Sequence, residues 1–153
     1  MAPLADRVAS AASVTTDPHI KVTDIEARLG TNYTADTIVA LKRRFPRTRF
    51  VWLMGADNLA QIRHWARWQH IFHTVPIAVF ARPSYCLKGL RDPAARRFAR
   101  RRVSPEQARY LADFAPPAWA FFPSRLDARS ATQIRSRLAA GSGRRNRDGL
   151  LMR

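Results

Sequence analysis

The stretch FVWLMGADNLAQIRHWARWQHIF, residues 50–72, decides the fold. It opens with five apolar residues that do not alternate with polar ones, which indicates a strand buried on both faces. A turn of small and polar residues follows, and residues 57–72 are predicted to be helical in part. A buried strand that passes through a short turn into a helix is typical of a parallel sheet with helical crossovers.

Two more apolar runs, residues 76–80 and 119–122, have the same character and predict two further buried strands. The spacing of apolar residues, and prolines or serines at positions where helices commonly begin, predict helices between and around the strands. A weaker strand is predicted at residues 20–22. We therefore predict one α/β domain over residues 1–140, followed by a glycine- and arginine-rich tail at 141–153. The predicted helices cover residues 2–14, 34–45, 93–102, 105–114 and 130–140.

The composition permits a packed core and gives the chain a strongly basic surface. Of its 153 residues, 46% are apolar and 25% are charged, and the net charge is +16. The charge is uneven, at +4 over residues 1–81 and +12 over residues 82–153. Such a surface attracts phosphate-bearing partners, either nucleic acid or small nucleotides, although a merely solvated basic face explains the charge equally well.

The sequence argues against several other classes of protein. One cysteine, Cys86, excludes an internal disulfide framework and a multi-cysteine metal site. The spacings of His64, His70 and His73 match no ligand set, so we predict no metal site on the protein. No apolar run approaches the roughly 18 residues of a membrane span, and the first residues do not resemble a secretory signal. We expect a cytoplasmic protein without membrane contact.

Candidate binding residues follow the first strong strand, because ligands of open parallel sheets bind beyond the carboxyl ends of the strands. Gly55 would let a ligand approach the backbone, and Asp57 could accept hydrogen bonds from hydroxyl or amino groups. The alternative is that Asp57 caps the following helix.

Two helix starts could bind anions through exposed backbone N–H groups. One is SATQIR, residues 130–135, where Arg135 could add a forked contact to phosphate; an ordinary capped helix with an exposed arginine is the alternative. The other is GTNYTADT, residues 30–37, where capping by Thr34 or Asp36 is the alternative.

The two tryptophans of HWARW differ in their expected roles. Trp68 lies close to two apolar residues, 71 and 72, and is predicted to pack in the core. Trp65 offers an indole face, which is a good platform for a flat heteroaromatic ring.

Together these segments resemble one family, bacterial nicotinate-nucleotide adenylyltransferase. The similarity runs in order through GTNYTADT, FVWLMGADNLAQIRHWARWQHIF, VPIAVFARPSY and SATQIR, and covers roughly residues 3–138. The resemblance implies a Rossmann-like nucleotidyltransferase fold with a parallel sheet and flanking helices. It also implies the transfer of AMP from ATP, with Mg²⁺, to nicotinate mononucleotide in the synthesis of NAD.

The resemblance also implies roles for individual residues. Tyr33 and Thr34 would hold the nicotinate end of the substrate, and the pyridine ring would stack on Trp65. ATP would be bound by residues of the G-x-D turn and the SATQIR motif, with Arg82 at the same strand end. These ATP-binding residues are Gly55, Asp57, Ser130, Thr132 and Arg135.

One departure from the family pattern affects the expected activity. The family's opening motif, G-x-F-x-P-x-H-x-G-H, does not occur in these 153 residues, nor does the first strand, which is expected at the centre of the sheet. His19 does not replace the histidines that bind the triphosphate, so no catalytic residue is assigned. We expect Met1 to be internal to a longer reading frame or the gene to be truncated. A truncated gene would leave an inactive domain that binds nucleotide or RNA through its basic C-terminal half.

Overall fold

The computed structural model describes residues 3–82 and 86–123. The predicted helix at 130–140 and the tail at 141–153 lie outside these residues. Three strands are described: β1 (Trp52–Gly55), β2 (Ile77–Phe80) and β3 (Trp119–Phe122). The α-helices are α1 (Leu4–Val14), α2 (Ile25–Leu29), α3 (Thr34–Arg44), α4 (Ala56–Leu59), α5 (Trp68–Thr74), α6 (Cys86–Arg91) and α7 (Pro93–Arg97). Short 3₁₀ segments occupy Ile62–His64, Ala99–Arg101 and Ala108–Asp113.

The three strands form one parallel sheet in the order β1–β2–β3. Its register sets Gly55 opposite Phe80, and Phe80 opposite Phe122. Helices lie between successive strands, as parallel connections require. The predicted α/β class and the three predicted strong strands are therefore confirmed.

The apolar runs correspond to strands whose side chains are buried unequally. In β2, which is paired on both sides, Ile77 and Val79 are fully buried. In the described part of the chain β1 is an edge strand, and its Leu53 side chain is 63% exposed. The described strands do not include the central strand that the family resemblance implies.

Aromatic side chains pack the helices against the sheet. The rings of Phe72 and Phe98 stack with their centroids 4.2 Å apart, and Trp68 meets both rings edge-on at 6.1 Å. The indole nitrogen Nε1 of buried Trp119 donates a hydrogen bond of 2.8 Å to the carbonyl oxygen of Phe98. The prediction that Trp68 packs in the core is confirmed, because it lies half-buried against this cluster.

Two predictions of secondary structure are wrong, and a third is right only in part: the helix predicted at 93–102 is α-helical over Pro93–Arg97 and 3₁₀ over Ala99–Arg101. Residues 20–22 form no strand: Ile20 closes a turn through a hydrogen bond from its N–H to the Asp17 carbonyl, and no described strand pairs with it. The predicted α-helix at 105–114 is instead a turn at residues 105–107 followed by a 3₁₀ segment at Ala108–Asp113. Buried Ala108, buried Leu111 and half-buried Phe114 recur every third residue, the period at which 3₁₀ side chains align.

Candidate functional site

The carboxyl ends of β1 and β2 bring an acidic and a basic side chain together. Asp57 lies in the first turn of α4, directly after β1, and Arg82 lies two residues beyond the end of β2. Because the strands are parallel and in register, both residues reach the same edge of the sheet. Asp57 Oδ1 lies 3.7 Å from Arg82 Nε, and no hydrogen bond satisfies this buried oxygen in the described part of the chain.

Gly55 permits the carboxylate of Asp57 to fold back over the strand end. A Cβ atom at residue 55 would lie 2.2 Å from Asp57 Oδ1 and 3.0 Å from Arg82 Nε, both too close for ordinary contact. The alternative that Asp57 caps α4 is wrong, because Gly55 occupies the N-cap and Asp57 already lies inside the helix. The carboxylate therefore faces the strand end instead of the helix N–H groups.

A cavity of about 290 Å³ lies at the start of α3. Tyr33 and Thr34 contribute one side of it, and Trp65, from the turn between the 3₁₀ segment and α5, contributes another. Trp65 is half-buried, whereas 56% of Tyr33 is exposed. The structure thus brings to one cavity the three residues predicted to hold the nicotinate end of a substrate.

Among residues 3–82 and 86–123, no side chain caps the start of α3. Tyr33 is the N-cap residue and makes no capping hydrogen bond through its side chain. The alternative that Thr34 or Asp36 caps this helix is wrong, because Thr34 lies at the first helical position and the Asp36 carboxylate accepts a hydrogen bond from Arg67. The positive end of the helix therefore lies beside the cavity without a cap from the side chains that the structure describes.

Three further residues line this cavity without having been predicted from the sequence: Asn32, His64 and Ala66. Asn32 lies within the motif GTNYTADT, and His64 and Ala66 lie within HWARW. Their position in these motifs was the signal that could have identified them. Arg63 Nε donates a hydrogen bond of 3.2 Å to His64 Nε2. Within the described ranges, no group of three or more His, Cys, Asp or Glu could hold a metal ion.

The second predicted anion-binding segment cannot be placed. Ser130, Thr132 and Arg135 lie outside the described residues, so their role in binding ATP stays a prediction.

Comparison with known proteins assigns the chain to a family. Residues 1–137 match the cytidylyltransferase-like family model. A protein of Cereibacter sphaeroides (strain ATCC 17025 / ATH 2.4.3), named probable nicotinate-nucleotide adenylyltransferase, is 52% identical over 88% of this chain and 71% of its own length. A protein of the same name from Parvibaculum lavamentivorans is 51% identical over 90% of this chain and 68% of its own length. Another, from Bradyrhizobium sp. (strain ORS 278), is 50% identical over 87% of this chain and 69% of its own length. The chain belongs to the nicotinate-nucleotide adenylyltransferase family.

This membership confirms the resemblance and the nucleotidyltransferase class. The parallel sheet with flanking helices agrees with the Rossmann-like fold expected of the family. None of the described helices combines the length and the apolar character that crossing a membrane requires.

Proposed function

We propose that the chain transfers AMP from ATP to nicotinate mononucleotide, with Tyr33, Thr34 and Trp65 holding the nicotinate end. The products are nicotinate adenine dinucleotide, a precursor of NAD, and pyrophosphate. One observation carries the assignment of the site: these three residues, from two separate motifs, line a single cavity. The names of relatives that share half of this sequence support the reaction.

The cavity suits the aromatic acid at one end of the substrate. Its volume of about 290 Å³ is at the lower limit of small-molecule sites, roughly 300–1,000 Å³, so it suits one ring better than a whole nucleotide. The indole of Trp65 can stack on the pyridine ring. The N-terminus of α3, which no side chain of the described residues caps, favours a carboxylate through its backbone N–H groups and its dipole.

The edge formed by the ends of β1 and β2 suits the adenosine of ATP. Asp57 Oδ1 is buried without a hydrogen bond in the described residues and could accept one from a ribose hydroxyl. Gly55 keeps this edge open, because any larger residue would collide with that oxygen. Ser130, Thr132 and Arg135 are proposed to hold the phosphates, and Mg²⁺ enters as part of the ATP substrate.

The reaction needs no protein nucleophile. A phosphate oxygen of nicotinate mononucleotide attacks the α-phosphorus of ATP in line, and a new P–O bond forms. The bond from the α-phosphorus to the oxygen shared with the β-phosphorus breaks, and pyrophosphate leaves with that electron pair. The protein's task is to align two anions and to stabilise the negative charge that develops, for which a net charge of +16 is favourable.

The proposal is tested by binding and by turnover. Isothermal titration calorimetry should detect the binding of nicotinate mononucleotide to the purified chain. Trp65→Ala should weaken this binding about 5- to 150-fold, which is equivalent to roughly 1–3 kcal/mol of stacking. Trp68→Phe is the matched control, since Trp68 packs against the core and does not line the cavity. Chromatography of a reaction with ATP, Mg²⁺ and nicotinate mononucleotide decides separately whether these 153 residues catalyse the transfer, since the motif G-x-F-x-P-x-H-x-G-H does not occur among them. If Trp65→Ala binds nicotinate mononucleotide as tightly as the wild type does, the proposed site is wrong.

A second candidate function rests on the arginines of α7 and the 3₁₀ segment that follows. Arg96, Arg97, Arg100 and Arg101 are exposed, whereas Ala94, Ala95 and Phe98 face the core. This arrangement suits RNA or another polyanion. RNA affinity that falls steeply with salt, together with no binding of nicotinate mononucleotide, would favour this function over AMP transfer.

A further inference from the structure

We propose that the ion pair between Asp36 and Arg67 positions the Trp65 turn against the start of α3 and so sets the affinity for the nicotinate end. The inference deepens the proposed function and rests on it for the identity of the ligand. Asp36 and Arg67 are positioning residues in this account. They act through the placement of Trp65 relative to Thr34.

The two sides of the cavity belong to parts of the chain that are far apart in sequence. Thr34 begins α3, whereas Trp65 lies in the turn between the 3₁₀ segment and α5. Arg67 Nη2 donates a hydrogen bond to Asp36 Oδ2 across a separation of 31 residues. The ion pair thus joins the first turn of α3 to the residue two positions after Trp65.

The backbone of Arg67 supports a positioning role. Its φ of 52° is in the left-handed region, and it is the one non-glycine residue with positive φ among residues 3–82 and 86–123. This conformation is sparsely populated in residues with a Cβ and persists where the surroundings hold it. The hydrogen bond from Arg67 to Asp36 supplies such a restraint, and Trp65 and Ala66 immediately precede the restrained residue.

The charges of the pair also matter to an anionic ligand. Asp36 lies in the first turn of α3, where its carboxylate competes with a substrate carboxylate for the positive end of the helix. Pairing with Arg67 neutralises that carboxylate. Loss of Arg67 leaves an unpaired negative charge near the cavity, whereas loss of the Asp36 charge leaves an unpaired positive charge, which attracts the anion and offsets part of the lost positioning. Arg67→Gln should therefore harm binding more than Asp36→Asn.

Calorimetry on the purified chain tests this inference with nicotinate mononucleotide and ATP as separate probes. Asp36→Asn should weaken nicotinate mononucleotide binding about two- to fivefold, as expected for a partly exposed ion pair, and Arg67→Gln by a larger factor. The double variant should bind better than Arg67→Gln alone, because the unpaired carboxylate is gone. The affinity for ATP should not change in any of these variants. Arg67→Lys, which keeps the positive charge, should bind nicotinate mononucleotide more tightly than Arg67→Gln does.

A second readout does not depend on any ligand. The indole N–H resonance of Trp65, assigned with Trp65→Phe, should shift in Asp36→Asn and in Arg67→Gln. Arg49→Gln is the control, since it breaks another arginine–aspartate pair, the more exposed one of Arg49 with Asp113, and neither residue lines the cavity. This control should leave both the resonance and the affinity unchanged.

The outcomes separate this inference from the proposed function. If wild-type chain binds nicotinate mononucleotide and both pair variants bind it equally well, the positioning role is wrong and the proposed function stands. If wild-type chain does not bind that ligand, the proposed site is wrong, and the Trp65 resonance decides the positioning role by itself. An unchanged resonance in both variants overturns it.

Discussion

Gly55→Ala is the substitution for which the structure gives the sharpest expectation. The new methyl group would lie 2.2 Å from Asp57 Oδ1, where ordinary contact begins at about 3.4 Å. The carboxylate must therefore withdraw by about 1 Å or more, and the contact with Arg82 changes with it. The backbone itself is not strained, because Gly55 has a φ of −81°.

The expected effect on stability is small. The Asp57 and Arg82 side chains are 38% and 60% exposed, so they can swing into solvent, and losing such a pair costs about 0–1 kcal/mol. Alanine in a strand recovers roughly 0.5–1 kcal/mol of backbone entropy relative to glycine. These two contributions offset each other, and the variant should fold.

Gly55→Ala is expected to lower the affinity for ATP strongly. A hydrogen bond to a charged group contributes about 1.5–3 kcal/mol, so moving the Asp57 carboxylate away from the ribose should weaken ATP binding roughly 10- to 150-fold. Isothermal titration calorimetry of ATP with Mg²⁺ measures this change directly. A thermal melt of the same sample shows whether the fold is intact.

Gly30→Ala is the matched control, since it makes the same chemical change elsewhere. Gly30 has a φ of 64° and open space around its Cβ position, so alanine there is strained without a collision. It should cost about 1–2 kcal/mol, lower the melting temperature by a few degrees and leave ATP affinity unchanged. Wild-type ATP affinity in folded Gly55→Ala would refute the proposed role of the Asp57 carboxylate.

Two further predictions concern stability and association. Asp92→Ala should lower the free energy of unfolding by about 1 kcal/mol in a denaturant titration, because buried Asp92 caps α7 through a 2.9 Å hydrogen bond from the Ala94 N–H. Asp92→Asn keeps an oxygen that accepts this hydrogen bond, so it should lower the free energy of unfolding less than Asp92→Ala does. β1, an edge strand in the described part of the chain, exposes 63% of its Leu53 side chain, so we expect the 153-residue chain to self-associate there in sedimentation experiments, and Leu53→Lys should reduce this association. Equal association of wild type and variant would show that this edge is not the contact.

The fold could be predicted because the strands depend on local pattern. The apolar runs at 50–54, 76–80 and 119–122 needed no distant information to be read as strands. The strand predicted at 20–22 failed because pairing is a tertiary property. Ile20 follows a turn and has no strand beside it in the described part of the chain.

The site could be predicted only in part. Tyr33, Thr34 and Trp65 came from motifs that share a family resemblance, and the structure places them on one cavity. The pairing of Asp36 with Arg67 was not predictable, because it joins residues 31 positions apart. The left-handed backbone of Arg67 also had no signal, since neither glycine nor asparagine marks that position.

A crystal structure of the chain with nicotinate mononucleotide tests the central claim most directly. The account predicts a pyridine ring stacked on Trp65, with its carboxylate at the start of α3 beside Thr34. A ring bound elsewhere on the molecule, with the Trp65 indole untouched, would contradict it.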